Sequence, residues 1–234
     1  MCMIKGRKLY IASIGMNFED ISIKTLNLIK KSDLVISDFP TLKNDTIIKK
    51  LNKNLIIINQ YLPKNLSESV EYLHKTILEH FRKYRTVLYL THGNPLYLNK
   101  RNILLYHRLK NEVETQTIPS VSSFDYIIDI ICKKLMPENA YIIYTYPIED
   151  ILNVYNNIII FNPNLIKNLA YKNIRKMISL YPKNHRFYTI QIKTIYEKER
   201  IKTYKMSRFY EIIKKLDERT TIFIPSCYNK NNII

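Results

Sequence analysis

Residues 8–37 read KLYIASIGMNFEDISIKTLNLIKKSDLVIS, and their reading decides the fold. Lys8–Ile14 is a short apolar run rich in β-formers, so it predicts a strand, and Gly15 opens the loop that follows. Ser22 is placed to cap a helix whose apolar positions Ile23, Leu26 and Ile29 recur at three-residue spacing. Leu34–Ser37 then predicts a second strand. Strand, loop, capped helix and strand within thirty residues is the signature of a parallel α/β unit.

The alternation continues. A short helix is expected over Asp45–Leu51, a strand over Leu55–Ile58 and a long helix over Glu68–Lys83, whose Val70, Leu73, Ile77, Leu78 and Phe81 form one stripe. Thr86–Leu90 and Glu114–Ile118 read as strands four and five, with a helix over Asn102–Leu109 between them. Strands alternating with helices predict a mainly parallel sheet with helices on its faces. The second half is less regular. Helices are expected at Phe124–Lys134, Leu165–Leu180 and Phe209–Leu216, and strands at Tyr141–Tyr144, Asn157–Phe161, Arg186–Ile192, Thr203–Met206 and Thr221–Ile224. With no linker rich in Pro, Gly or Ser, the pattern alone divides the chain near Pro119, into residues 1–118 and 119–234.

At 234 residues with 46% hydrophobic residues, the chain is long and apolar enough to bury a core. No apolar run approaches the ~18–20 residues of a membrane span, and the N-terminal stretch lacks the apolar core of a secretory signal. Cys2, Cys132 and Cys227 are scattered and form no CxxC pair, which suggests reduced thiols and a cytoplasmic protein. The net charge of +17 invites a nucleic-acid partner. The lysines are spread along solvated helix faces, however, so a basic surface with no dedicated partner accounts for it equally well. His74, His80, His107 and His185 show no metal-ligand spacing, and no metal is expected.

Glycine is informative because the chain has three, and Gly15 and Gly93 directly follow predicted strands one and four. In open α/β sheets ligands bind beyond the carboxyl ends of strands, so both glycines mark backbone that approaches a ligand or turns sharply.

Three segments taken in order carry a resemblance. LYIASIGMNFEDISIKTLNLIKKSDLVISD resembles the first strand, glycine loop, helix and second strand of the tetrapyrrole methylase superfamily. THGNPLYL is similar to its G-D-P or G-H-P loop, and IPSVSSFDYI to its P-G-x-S-S segment between domains. The resemblance implies two α/β halves, a mainly parallel N-terminal sheet and a mixed C-terminal sheet, with S-adenosylmethionine in a cleft between them. It also implies cofactor contacts at Gly93, Asn94, Leu96, Tyr97, Ser122 and Ser123.

Within the superfamily, INQYLPKNLSESVEYLHKTI spaces Tyr61 and Tyr72 as in the borosin-type peptide α-N-methyltransferases, and TTIFIPS is similar to their closing strand. AYIIYTYPIED and YNNIIIF are weaker counterparts. That branch implies Tyr61, Tyr72 and His92 as catalytic residues, cofactor contacts at Asn157, Thr220 and Thr221, and a homodimer. It implies methylation of backbone amides in a precursor peptide, expected to be a separate chain because little sequence follows TTIFIP. A tyrosine near a cationic sulfonium has its phenol pKa pulled down from ~10 and becomes a usable base. With 19 tyrosines, packing residues are the competing reading. Other acceptors in the superfamily are tetrapyrroles and rRNA, and FEDIS is similar to the rRNA enzymes. Ser13 and Ser120 stand where the superfamily has glycine, His92 and Asn94 where borosins have Tyr and His, and Glu68 where they have arginine. The last departure fits a different substrate, a separate subfamily or an inactive, ligand-binding relative.

Overall fold

The computed structural model describes residues 4–38, 42–135, 142–144, 157–161, 163, 178–192, 198–217 and 219–227. Most of the helix expected over Leu165–Leu180 lies outside them; residues 178–180 are helical. The chain forms two compact units, Met1–Asp125 and Tyr126–Ile234.

In the first unit, β1 (Lys8–Ser13), β2 (Leu34–Ser37), β3 (Leu55–Ile57), β4 (Thr86–Thr91) and β5 (Glu114–Thr117) form one sheet in the order β3-β2-β4-β1-β5. Every pairing is parallel. The helices are α1 (Ile23–Lys31), α2 (Leu42–Leu51), α3 (Leu66–His80) and α4 (Lys100–Leu109). Side chains alternate across the strands, so Leu9, Ile11, Leu34, Ile36, Val87 and Tyr89 enter one cluster with Leu73 and Ile77 of α3 and Leu105 and Leu109 of α4. Ala12, Val35, Leu88 and Leu90 enter the other with Ile29 of α1 and Ile48 of α2. Both faces are covered, which is why β2 is buried at every position.

The caps follow from sequence. Ser22 accepts from the Thr25 N–H at 3.1 Å, as expected. Asn65 caps α3 by accepting from Ser67 and Glu68, so that helix starts before the expected Glu68. One part of the amphipathic reading is corrected. Ile23 is 79% exposed, and α1 buries Thr25 and Ile29 instead; an i,i+4 pair stays on one face where the three-residue spacing from Ile23 drifts off it.

The second unit holds β6 (Ile142–Tyr144), β7 (Asn157–Ile160), β8 (Arg186–Gln191), β9 (Arg200–Lys205) and β10 (Thr221–Ile224), ordered β6-β7-β10-β8-β9. β6 pairs parallel with β7 and the other pairings are antiparallel, so the sheet is mixed as expected. Phe187, Ile222 and Ile224 of the sheet pack with Phe209, Ile212 and Ile213 of α6 (Phe209–Ile213). β9 begins at Arg200 rather than at Thr203, because β8 offers a partner along its whole length, from Arg186↔Lys205 to Gln191↔Arg200. Its charged residues suit an edge strand, where they discourage pairing with another chain. α5 (Ser123–Ile130) joins the two units and widens into a π-helical turn over Ile131–Leu135. No helix among the described residues is long and apolar enough to cross a membrane.

Candidate functional site

The site is built where β1 and β4 end side by side. Ser13 pairs with Thr91 at the last rung, and two residues further on the Gly93 N–H donates to the Gly15 carbonyl at 2.8 Å. Both glycines sit in the left-handed region, at φ +79° for Gly15 and +68° for Gly93, where a Cβ is disfavoured. At Gly15 an added Cβ would also lie 2.4 Å from the Asp20 Cβ. This loop is tied down from within. Ser13 Oγ, fully buried, accepts from the Gly15 N–H at 2.9 Å. The Asp20 carboxylate accepts from the N–H groups of Met16 and Asn17 at 3.1 and 2.8 Å. Ser13 thus has a structural task at a position where a glycine was expected.

Asn94 is the joint between this turn and the segment that leads into α5. Its Nδ2 donates to the Ser120 carbonyl at 3.1 Å, and its Oδ1 accepts from the N–H groups of Leu96 and Tyr97 at 3.1 and 3.2 Å. One side chain therefore fixes the turn after β4 and holds residues 120–123 against it. His92 Nε2 lies 2.8 Å from the Met16 carbonyl. Since a carbonyl only accepts, that nitrogen carries the proton, and the ring buttresses the loop.

Together these turns surround a hollow of about 450 Å3, lined by Met16, His92, Gly93, Asn94, Tyr97, Ser122 and Ser123 and rimmed by Leu66 and residues 98–101. The expected convergence of the Gly15, Asn94 and Ser122 turns is present. Leu98 on the rim has φ 56° and is 44% exposed, an unusual backbone for a branched apolar residue. It is locked between the Asn94 turn and Asn99, which caps α4 by accepting from the Asn102 N–H. Burial, and then the charge of Asp125, push the Tyr97 phenol up to about 12, so at neutral pH it is a hydrogen-bond donor rather than a base.

Ser122 differs from its expected role. Its N–H and hydroxyl both donate to Asp125 Oδ2, at 2.7 and 2.6 Å. The Asp125 carboxylate, in the first turn of α5, thus takes both the N–H and the hydroxyl of Ser122. Tyr61 and Tyr72 are not among the residues that line the hollow. Tyr61 is 60% exposed beside the start of α3. Tyr72 is half-buried against the α3–α4 core. Asn157, Thr220 and Thr221 belong to the second unit and are buried. Asn157 Oδ1 accepts from the Ser226 N–H at 2.8 Å. Thr220 donates to Asp217 at 2.8 Å and accepts from Gln191 at 3.1 Å; it lines a separate hollow of about 310 Å3 with Thr189, Arg200 and Lys202.

A buried polar cluster beside the first hollow was missed by the sequence reading. At the end of β2, the Asp38 carboxylate is 3% exposed and is held by the Arg101 guanidinium and by the Tyr89 hydroxyl at 2.5 Å. Tyr89 is fully buried and also reaches Asn102 Oδ1 at 3.2 Å. Burial pushes the Asp38 carboxyl up, while the Arg101 charge and the bonds from Tyr89 and Thr91 pull it back. Arg101 faces the hollow from the other side.

The hollow suits a small ligand. The volume is within the usual ligand range, Met16, Leu66 and Leu98 supply apolar wall, and Lys100 and Arg101 supply charge on one rim. The Ser120 hydroxyl, in the segment held by Asn94, is buried with no hydrogen-bond partner among the described residues.

Comparison with curated proteins gives no significant match. The fold is similar to that of uroporphyrin-III C-methyltransferase from Thermus thermophilus, at 12% identity and a TM-score of 0.62 over 94% of this chain and 93% of that one. It is likewise similar to a uroporphyrin-III C-methyltransferase from the same organism complexed with S-adenosyl homocysteine, at 15% identity and a TM-score of 0.61 over 93% and 92%. The cobalamin biosynthetic enzyme cobalt precorrin-4 methyltransferase matches at 18% identity and a TM-score of 0.63 over 94% and 95%. At such identities the likeness is one of fold. Residues 8–132, more than half the chain and the whole of the site around Gly15, Asn94 and Arg101, match the tetrapyrrole (corrin/porphyrin) methylases, and the protein belongs to that family.

Proposed function

We propose that this protein is an S-adenosylmethionine-dependent methyltransferase that modifies the backbone amides of a separate precursor peptide. One observation carries the methyltransferase reading: in a chain of this family, the turns at Gly15, Asn94 and Ser122 meet around one ligand-sized hollow at the carboxyl ends of β1 and β4. When bound, the cofactor would supply an electrophilic methyl group on a sulfonium, open to in-line attack by an acceptor with the thioether as leaving group and no metal required.

The chain's own residues then have three tasks. The Gly93–Asn94 turn and Ser123 shape the floor on which the methyl donor lies. Tyr97 and Leu98 cover it and exclude water, which preserves both orientation and the strength of local charges. A general base takes the acceptor's proton where the acceptor atom needs one. In the peptide reading this falls to Tyr61 or Tyr72, on the segment leading into and along α3, whose Leu66 touches the hollow. Support for the peptide is the spacing of those tyrosines and the TTIFIPS strand.

A second reading, methylation of a tetrapyrrole, is favoured by a different observation. The rim carries Lys100 and Arg101, and among the described residues no acidic side chain lines the hollow, which suits an acceptor rich in carboxylates.

Co-expression with small neighbouring open reading frames, followed by intact-mass analysis, tests the first reading. Steps of ~14 Da on a peptide, one CH₂ per transfer, located on backbone nitrogen by fragmentation, support it. An unchanged peptide together with methyl transfer to a porphyrinoid overturns it in favour of the second. Absence of S-adenosylhomocysteine binding by calorimetry removes both.

A further inference from the structure

An anion entering the first hollow finds several of the backbone donors on and beside its lining already taken. The Met16 and Asn17 amides are held by Asp20, the Gly15 amide by Ser13, the Leu96 and Tyr97 amides by Asn94, and the Ser122 amide and hydroxyl by Asp125. The donors that remain on the lining include the Arg101 guanidinium and the Lys100 ammonium. Arg101 differs from an ordinary surface arginine. Asp38, nearly sealed from solvent, grips one of its terminal nitrogens, and the buried Tyr89 hydroxyl, itself within reach of Asn102 Oδ1, donates to Asp38 from behind. The Arg101 side chain is 26% exposed, and its Nε is buried with no hydrogen-bond partner among the described residues. A guanidinium has five N–H donors in a rigid fork, so a clamp on one edge leaves the rest oriented for a second anion. Pre-orientation of this kind removes most of the side-chain entropy that binding would otherwise cost.

We propose that Arg101 is the carboxylate-binding residue of this hollow, with Asp38 as the positioning residue that aims it. The inference rests on the methyltransferase reading and deepens it by naming a recognition element. The shared chemistry is a carboxylate, and it has two possible sources, the amino-acid end of the cofactor or an acidic acceptor.

Calorimetry on the full chain separates the sources with three probes: S-adenosylhomocysteine, 5′-methylthioadenosine (the same nucleoside thioether without the carboxylate) and uroporphyrin III as a polycarboxylate. If the cofactor's carboxylate is bound, Arg101→Met weakens S-adenosylhomocysteine by about 10- to 100-fold and leaves methylthioadenosine unchanged. If the acceptor's carboxylate is bound, the loss appears with uroporphyrin III instead. Arg101→Met leaves Asp38 buried without its counter-charge, which can unfold the chain. Arg101→Lys keeps the charge without the fork and is expected to bind about tenfold more weakly than wild type.

Asp38→Asn needs a readout that lost packing would not move. The Arg101 Nε–H resonance is expected to shift when the carboxylate-bearing probe saturates wild type. In Asp38→Asn it is expected to broaden by exchange with water even though methylthioadenosine still binds. Equal affinities for S-adenosylhomocysteine and uroporphyrin III in wild type and both arginine variants overturn the Arg101 assignment while leaving the methyltransferase reading intact. Failure of wild type to bind any of the three probes overturns both.

Discussion

The Gly93 N–H donates to the Gly15 carbonyl across 2.8 Å, so the loops after two neighbouring parallel strands form a single rigid edge. The two glycines are not equivalent. An alanine Cβ at Gly93 meets only Met16 Sδ, at 3.7 Å, whereas at Gly15 it meets the Asp20 Cβ at 2.4 Å. Gly93→Ala is therefore expected to cost about 1–2 kcal/mol, from its positive φ alone. Gly15→Ala is expected to cost more, because Asp20 must leave the Met16 and Asn17 amides it holds. Urea unfolding of both variants checks the order, and equal midpoints would show that the Asp20 contact relaxes freely.

Asn94 makes three hydrogen bonds that no other side chain can make at once. Asn94→Ala removes all three and is expected to lower stability by about 1–3 kcal/mol and S-adenosylhomocysteine affinity by at least about tenfold, since the turn and the Ser120 segment separate. Asn94→Asp keeps the bonds from Leu96 and Tyr97 and loses the one to Ser120, so its stability is expected to lie between. Calorimetry and urea titration measure the two effects separately. Intact cofactor affinity in Asn94→Ala would mean that the hollow does not depend on this joint.

Much of the first unit was legible because its signals are local. Alternating apolar runs give the strands, Ser22 gives a cap, and scarcity makes Gly15 and Gly93 conspicuous. Asn94 could be found from its place beside Gly93. The Asp38–Tyr89–Arg101 cluster could not, because its members lie 51 and 63 residues apart and meet only through sheet order. Asp38 reads in sequence as an ordinary residue ending a strand, and Arg101 as one more cation among 37. Ser122 was legible in kind but not in partner. Its spacing to Asp125 is that of a helix cap, and the cap takes the donors that the family resemblance assigned to the cofactor.

Tyr72 is packed against the α3–α4 core, so Tyr72→Phe preserves the ring and is expected to change stability by no more than about 0.5 kcal/mol. If the Tyr72 hydroxyl is the base of the peptide reading, turnover is expected to fall by ~10²-fold or more, with unchanged S-adenosylhomocysteine affinity. Equal turnover in this variant removes Tyr72 from the mechanism and leaves exposed Tyr61 as the remaining tyrosine candidate.

The second unit carries a pH response of its own at His185. The ring lies tilted against Tyr181 with centroids 5.0 Å apart and its Nε2 lies 2.9 Å from the Pro225 carbonyl, so Nε2 bears the proton and Nδ1 faces the Cys227 thiol at 3.8 Å. Burial holds the imidazole below its ordinary value near 6.5, and the Pro225 bond offsets this only in part. The unfolded chain therefore takes up this proton first as the solution is acidified. The contribution of His185 is complete above pH 6.5 and is lost as pH falls through the lower, folded-state value. The urea midpoint is accordingly expected to drop as the pH falls below about 6.5, and to drop less in His185→Gln, which keeps an N–H donor for Pro225 but does not titrate. Identical pH slopes in the two proteins would mean that protonation is accommodated without disturbing the contacts of His185 with Tyr181 and Pro225, and that the acid response of this unit arises elsewhere.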